Sequence, residues 1–275
     1  MAEQNLTKDL KELAYLYDLY FVPQWREAFD RMVDEEVKLP KEGKLLDAEC
    51  GTGGYAVDLA LRVGKDAEVV GVDANEEKLA LARGKAVVKK AKQISFQQGN
   101  LQALGLAADE FDWIVADASL TPAREIGVVL NELRRVAKKG ATIVLKLTTR
   151  GSFDEFFSVF WETLYELDLI EYTPQLETLI TERLTVTEAE QLAAAAGLKE
   201  VRSVTQKERF DFPTGAEFLV APLIETNFLS DWLALLPDEA TRARVLQRLP
   251  EVIDRARAAL DFDVSIKATL IVAQK

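Results

Sequence analysis

The segment Leu46-Asp47-Ala48-Glu49-Cys50-Gly51-Thr52-Gly53-Gly54 decides the fold. A short apolar run enters a glycine-rich turn, and a helical period opens directly behind it. Glycines let the backbone approach a ligand, and the start of the helix behind them offers free N–H groups. Outward from this turn the chain alternates between the two periods. Strands are expected at 44–49, 68–73, 94–97, 113–116 and 141–147, with helices near 53–63, 76–91 and 122–138. The last helix is expected to end at Lys138-Lys139-Gly140, two cations followed by a glycine stop. Such alternation marks βαβ units, so the expected class is α/β with a doubly wound, mostly parallel sheet.

The flanks read differently. Residues 5–37 carry a helical pattern in which Leu10, Leu13, Leu16 and Leu19 interleave with Tyr15, Tyr17 and Tyr20, and Pro23 is expected to interrupt it. Beyond 147 come an aromatic helix over 153–167, a helix near 187–196 stopped by Gly197, and strands over 199–209 and 264–272. A mainly helical insertion at about 214–260 separates those two strands. With no internal repeat and no low-complexity linker, one domain with a cap is favoured over two independent ones: an N-terminal helical lid at 1–40, then a single domain at 41–275.

Composition narrows the chemistry. Of 275 residues, 34 are Lys or Arg and 46 Asp or Glu, a net charge of −12 that opposes binding to a phosphate backbone. The densest basic stretch, Lys89-Lys90-Ala91-Lys92, reads as a solvated helix end. One cysteine, Cys50, permits no intrachain disulfide and reads as a small packed residue. No apolar run is long enough to span a bilayer, and the N-terminus lacks the basic-then-apolar run of a signal peptide. A cytoplasmic location is expected. Histidine is absent, which removes Ser-His-Asp hydrolysis, imidazole bases and His-ligated zinc. No metal site is expected.

Read literally, Gly51-x-Gly53-x-x-Ala56 matches a dinucleotide-binding turn, and Asp73 lies 20 residues beyond Gly53, where a ribose-binding acid belongs. The positions two and four before Gly51 argue otherwise. They hold Glu49 and Asp47, carboxylates that would repel a pyrophosphate and suit a ligand bearing an ammonium and a sulfonium. With them the segment resembles motif I of the class I S-adenosylmethionine-dependent methyltransferases. Asp47, Glu49, Gly51 and Gly53 stand in the motif, Glu49 at its first glycine position. That position ends the strand and is expected not to need a positive φ.

The resemblance continues in order over about residues 40–150. Val69-Val70-Gly71-Val72-Asp73 is similar to motif II, whose acid accepts both ribose hydroxyls, and Ala74 follows it. Gln98-Gly99-Asn100-Leu101 resembles the adenine loop, with Asn100 accepting from the adenine amino group and Leu101 donating its N–H. Phe111-Asp112-Trp113-Ile114-Val115-Ala116-Asp117 resembles motif IV, the strand that faces the transferring methyl. The resemblance implies a seven-stranded sheet with an antiparallel last strand, S-adenosyl-L-methionine as cofactor, and S-adenosyl-L-homocysteine as product. It implies cofactor contacts at Asp47, Glu49, Gly51, Gly53, Asp73, Ala74, Asn100, Leu101 and Asp117.

In-line methyl transfer needs alignment and desolvation more than a strong base, which suits a chain without histidine. After the motif IV strand the sequence is Asp117-Ala118-Ser119-Leu120-Thr121-Pro122, so the base-stacking clamp of nucleic-acid amino methyltransferases is missing. A small-molecule, lipid-like or acyl-carrier-bound acceptor is therefore expected, and no nucleic acid. The aromatic residues Tyr15, Tyr17, Tyr20, Phe21 and Trp25, then Phe156, Phe157, Phe160 and Trp161, and the insertion at about 214–260 are candidates for the acceptor pocket. Tyr17, as a donor or lid residue, and Asp117, near the methionine amino group or a substrate proton, are the substrate-side candidates. Two rivals stand beside this reading. One is a methyltransferase-like protein that binds the cofactor without turnover, favoured by Glu49 in a glycine position. The other is a nicotinamide-dependent oxidoreductase, opposed by Asp47 and Glu49.

Overall fold

Seven strands form one sheet: β1 (Gly43–Ala48), β2 (Ala67–Asp73), β3 (Ile94–Gln98), β4 (Phe111–Asp117), β5 (Ala137–Thr149), β6 (Lys199–Phe210) and β7 (Val264–Gln274). The computed structural model describes residues 9–260 and 263–275, so the first eight residues of the expected lid lie outside it. The strand order is β3-β2-β1-β4-β5-β7-β6. β1 to β5 pair in parallel. β7 opposes them: Gly140 N–H donates to Lys275 O at 2.9 Å and Lys275 N–H to Ala141 O at 3.1 Å, joining the start of β5 to the end of β7. The expected α/β class, mostly parallel with an antiparallel last strand, is borne out. Strand order reverses between β1 and β4, and a crevice opens outside their carboxyl ends at such a switch point.

Two compact units are present. The first comprises residues up to Leu147, Val186–Thr205 and Thr269–Lys275; the second comprises Thr148–Thr185 and Gln206–Ala268. In the first, α1 (Leu10–Leu16) leads through a π-helical stretch, Tyr17–Arg26, into α2 (Glu27–Glu36). Pro23 lies inside this stretch and does not break it, contrary to expectation. A π-helical turn re-aims the hydrogen bonds by one residue, so the missing proline N–H and the ring are absorbed in the wider turn. The strand ladder is joined by α3 (Gly54–Arg62), α4 (Glu76–Lys89) and α5 (Ile126–Val136). α5 buries Ile126, Val129, Leu130, Leu133 and Val136, the one-faced spacing of an amphipathic helix. It stops at Val136, two residues before the expected cationic end. Ala137 pairs with Phe111 and starts β5 there, leaving Lys138-Lys139-Gly140 in a register shift of the strand.

In the second unit α6 (Asp154–Glu166) and the insertion helices, from Gly215–Val220 to Glu239–Leu260, share an aromatic core. Phe156 stacks on Trp232 at 4.1 Å between ring centroids, and Phe153 meets Phe228 at 4.9 Å. α7 (Thr173–Thr181), which the sequence reading did not anticipate, belongs to the same unit, while α8 (Val186–Ala195) belongs to the first. Among the described residues no helix is long and apolar enough to cross a membrane.

Close packing under the glycine loop gives a direct check. A Cβ on Gly71 of β2 would lie 2.6 Å from the Phe96 ring and 3.1 Å from Cys50 Sγ. Gly71→Ala is expected to destabilise by about 1–3 kcal/mol, as overpacked cores do, and a urea denaturation curve measures it. An unchanged midpoint would mean that the Phe96 ring has room to move.

Candidate active site

The site begins where β1 ends. Asp47 is wholly buried in the strand, and neither of its carboxylate oxygens has a hydrogen-bond donor. Burial pushes its pKa up to about 7, against the pull of the Lys146 and Arg26 charges. Glu49 follows with φ +61°, in the left-handed region. This corrects the expectation that its position needs no positive φ. The turn here takes the conformation that glycine adopts freely, and the glutamate holds it because Arg26 Nη1 donates to its carbonyl at 2.8 Å. Burial and the neighbouring Asp73 raise the Glu49 pKa.

Beyond Glu49, Gly53 has φ +72° and caps α3, and a Cβ there would lie 2.5 Å from Ala82 Cβ. Gly51 has φ +59°, and a Cβ there would meet Tyr17 Oη at 2.8 Å. Tyr17 therefore lies against the glycine loop. Cys50 is buried, and burial with the Asp47 charge pushes its thiol up, so it is held as a packed thiol and not as a thiolate. Asp73, at the end of β2, straps the turn: Oδ2 accepts from Gly51 N–H and Oδ1 from Asn75 N–H, both at 2.8 Å.

A cavity of about 320 Å³ opens beside this turn, within the first unit. Of the expected cofactor residues, Glu49, Ala74, Asn100, Leu101 and Asp117 line it. Asp47, Gly51, Gly53 and Asp73 lie behind the lining. Asn100 Oδ1 accepts from Ala103 N–H at 2.7 Å within its own turn. Tyr17 and Phe21 line the cavity from the N-terminal segment, their rings stacked at 4.7 Å. Trp25 is buried behind them, Tyr15 and Tyr20 are exposed, and Phe156, Phe157 and Phe160 are buried in the second unit, with Trp161 exposed.

Asp117, at the end of β4, is almost fully buried. Ser119 donates to its Oδ1 twice, from the hydroxyl at 2.6 Å and from N–H at 3.0 Å, and Trp25 Nε1 donates to the Ser119 hydroxyl at 2.9 Å. Burial raises the Asp117 pKa, but Arg26, Lys146 and the Ser119 hydrogen bonds outweigh it and hold the carboxyl below its ordinary range. Asp117 is thus a fixed anion at neutral pH. Its Oδ2 lies 3.4 Å from Arg26 Nη1 and makes no hydrogen bond.

Three residues that the sequence reading missed complete the site. Arg26 lines the cavity with its guanidinium anchored by Nη1, which also donates to Tyr17 Oη at 3.0 Å. Lys146 is fully buried, ion-paired with Asp30 and 4.8 Å from the centre of the Tyr55 ring. Lys78 lines the cavity with its ammonium 3.8 Å from the centre of the Tyr17 ring. Lys146 did announce itself: it stands alone in the apolar run Ile143-Val144-Leu145-Lys146-Leu147. Arg26 follows Trp25 in the i+4 series Tyr17, Phe21, Trp25, Phe29 and carried no such contrast. Chemically the cavity presents a buried anion, Asp117, beside a buried cation, Arg26, and each has an atom without a partner. A ligand bearing both signs fits that donor set.

A carboxyl with a raised folded pKa binds a proton that the unfolded chain has released, so stability falls as pH rises from the unfolded value, about 4, to the folded one. For Asp47 that window closes at about pH 7. Asp47→Asn is expected to raise the thermal midpoint at pH 8 and to change it little at about pH 4. Melting curves across this range measure it; equal shifts at both ends would contradict the burial of an unpaired Asp47.

Comparison with known proteins agrees with this architecture. A family model for a methyltransferase domain matches residues 39–208. A demethylmenaquinone methyltransferase of Shouchella clausii is 34% identical over 158 residues, which is 58% of this chain and 66% of that protein. The chain spans 40–66% of the length of that protein and of two similar relatives with the same name. Among solved structures, phosphoethanolamine N-methyltransferase 2 of Haemonchus contortus, in complex with phosphomonomethylethanolamine and S-adenosylhomocysteine, superposes with a TM-score of 0.57 at 15% identity. That match covers 98% of this chain and 59% of that one. The [4+2]-cyclase SpnF superposes with a TM-score of 0.55 at 17% identity, covering 96% and 95%. By the family model and by the strand order that carries its motifs, the chain belongs to the methyltransferase-domain family of class I, S-adenosylmethionine-dependent type.

Proposed function

We propose that the protein is a methyltransferase that uses S-adenosyl-L-methionine, releases S-adenosyl-L-homocysteine, and methylates a small or carrier-bound, partly apolar acceptor. The observation that carries this reading is the paired charge in the cavity at the switch point. Asp117 and Arg26 each keep an unpartnered polar atom at the end of β4, where the family's motif IV stands. When bound, the cofactor would supply an electrophilic methyl group on a sulfonium, beside a zwitterionic amino-acid end. Asp117 would accept from the ammonium, being held ionised by Ser119, Arg26 and Lys146. Asn100 and Leu101 would flank the adenine side, and Asp73, which holds the turn through Gly51 and Asn75, would accept from the ribose hydroxyls with its remaining lone pairs once the ligand reaches past the present lining.

The same residues define what the chain does for the transfer. A carboxylate held below its ordinary range is a weak base, so Asp117 favours binding and alignment over proton abstraction. Buried Cys50, with its thiol pushed up, is not poised as a nucleophile. Alignment and exclusion of water remain the main sources of rate. The lining also includes the apolar residues Phe21, Leu120 and Pro122 beside Tyr17. Such a wall suits an aromatic or isoprenoid acceptor, consistent with the quinone precursor named for the demethylmenaquinone methyltransferases. We place the N-terminal segment as the roof of that part of the cavity and the reaction in the cytoplasm.

Binding without turnover is the second reading, favoured by Glu49 in a glycine position with its carbonyl already accepting from Arg26. Calorimetric titration with S-adenosylmethionine is expected to give a dissociation constant on the order of micromolar, and NADH no heat. Asp117→Asn is expected to weaken the cofactor about tenfold or more, since a charge-assisted hydrogen bond contributes about 1.5–3 kcal/mol. Mass spectrometry of a reaction with a reduced naphthoquinone acceptor is expected to detect S-adenosylhomocysteine and a methylated product. Cofactor binding without product across phenolic, quinol and carrier-bound acceptors would select the second reading, and absence of cofactor binding would overturn both.

A further inference from the structure

Arg26 has a task that its own contacts leave unfinished. Its side chain is buried and lines the cavity. Nη1 donates to Tyr17 Oη and to the Glu49 carbonyl and lies 3.4 Å from Asp117 Oδ2, which fixes the guanidinium plane. Nη2 is buried and has no acceptor. Guanidinium N–H groups withdrawn from water are seldom left unpaired, because their desolvation is not offset. Burial works against the charge, and Tyr17, Asp117, Asp30 and Asp47 around it more than restore it, so Arg26 stays cationic. A charged, immobilised donor left without a partner, in a residue that lines the cavity, calls for an anionic acceptor from outside the chain.

The neighbouring group says which anion. Asp117 Oδ2, next to Arg26, is the complementary orphan, an acceptor without a donor. The ammonium and carboxylate of an α-amino acid are separated by a single carbon, so a receptor for both needs a cation and an anion side by side. Lys78, another cation in the lining, stands over the face of the Tyr17 ring. We infer that Arg26 is the receptor for the carboxylate of the cofactor's amino-acid end, with Nη2 as the donor, and that the N-terminal helical segment is thereby a structural part of the cofactor site. This inference rests on the cofactor reading above and deepens it. It makes Arg26 a determinant of specificity: the protein would reject cofactor analogues that lack the carboxylate.

The test compares two ligands by calorimetry, S-adenosylhomocysteine and S-adenosyl-3-thiopropylamine, which keeps the ammonium and lacks the carboxylate. The wild-type protein is expected to bind the first at least about tenfold more tightly, the effect of roughly 1.4 kcal/mol. Arg26→Gln is expected to abolish that ratio, weakening the carboxylate ligand by about the same factor and leaving the other near its wild-type affinity. Arg26→Lys should restore part of the ratio, because it returns the charge without the planar fork. Lys78→Met should change both affinities by a common factor. Equal wild-type affinities for the two ligands would overturn the inference even if the Arg26 variants fail to fold. So would a ratio that survives Arg26→Gln, or one that is lost in Lys78→Met. Absence of any S-adenosylhomocysteine binding to the wild-type protein would instead overturn the cofactor reading on which the inference stands.

Discussion

The glycine turn depends on one buried carboxylate. Asp73 accepts hydrogen bonds from Gly51 N–H at the end of β1 and from Asn75 N–H at the start of α4, both at 2.8 Å. Hydrogen bonds to an ionised group are the stronger ones, and here they join two strand ends that would otherwise carry loose loops. With the turn so fixed, Glu49 takes its left-handed conformation, its carbonyl faces Arg26, and the cavity lies between that turn and the end of β4. An amide or an alanine at 73 would leave buried backbone donors with weaker partners or none.

The N-terminal segment is tied to the same turn by charge and aromatic contact. Asp18 bonds Thr52 and Lys85, Tyr17 packs against Gly51, and Arg26 reaches Glu49 and Asp117. Behind them Lys146 pairs with Asp30, and Asp34 takes hydrogen bonds from Tyr55 and Arg62. Charges of both signs, buried at Arg26, Asp117 and Lys146 and more exposed at Asp18, Lys85, Asp34 and Arg62, are thus interleaved rather than separated, which offsets repulsion in a chain of net charge −12. Oδ2 of Asp117 and Nη2 of Arg26 are left without partners in residues that line the cavity, both oxygens of Asp47 are left so outside its lining, and Arg183, Arg242 and Arg257 each keep an unpartnered buried nitrogen elsewhere in the chain.

Much of this was legible in the sequence, and the reasons are local. β1 to β3 fall within about one residue of their expected ends because each is a short apolar run bounded by turn chemistry. β5 begins four residues earlier than expected, at Ala137, because strand pairing with Phe111 overrides the cationic helix-stop pattern. Pro23 misled for a similar reason: a π-helical turn accommodates a residue that breaks an α-helix. The motif residues around the cavity could be found because their types are constrained by backbone approach and charge. Arg26 and Ser119 could not, since their importance comes from which side chain meets which across the fold: Arg26 across from Glu49 and Asp117, Trp25 across from Ser119. Only Lys146, a lone charge in an apolar strand, carried a signal that periodicity could have used.

Whether the cavity between the glycine turn and Asp117 holds the cofactor is decided most directly by a crystal structure of the protein grown with saturating S-adenosylhomocysteine. Ligand density is expected to be enclosed by Glu49, Ala74, Leu101 and Asp117, with the amino-acid end toward Arg26. Density at another place in the fold, or this cavity empty while calorimetry shows the ligand bound, would contradict that assignment.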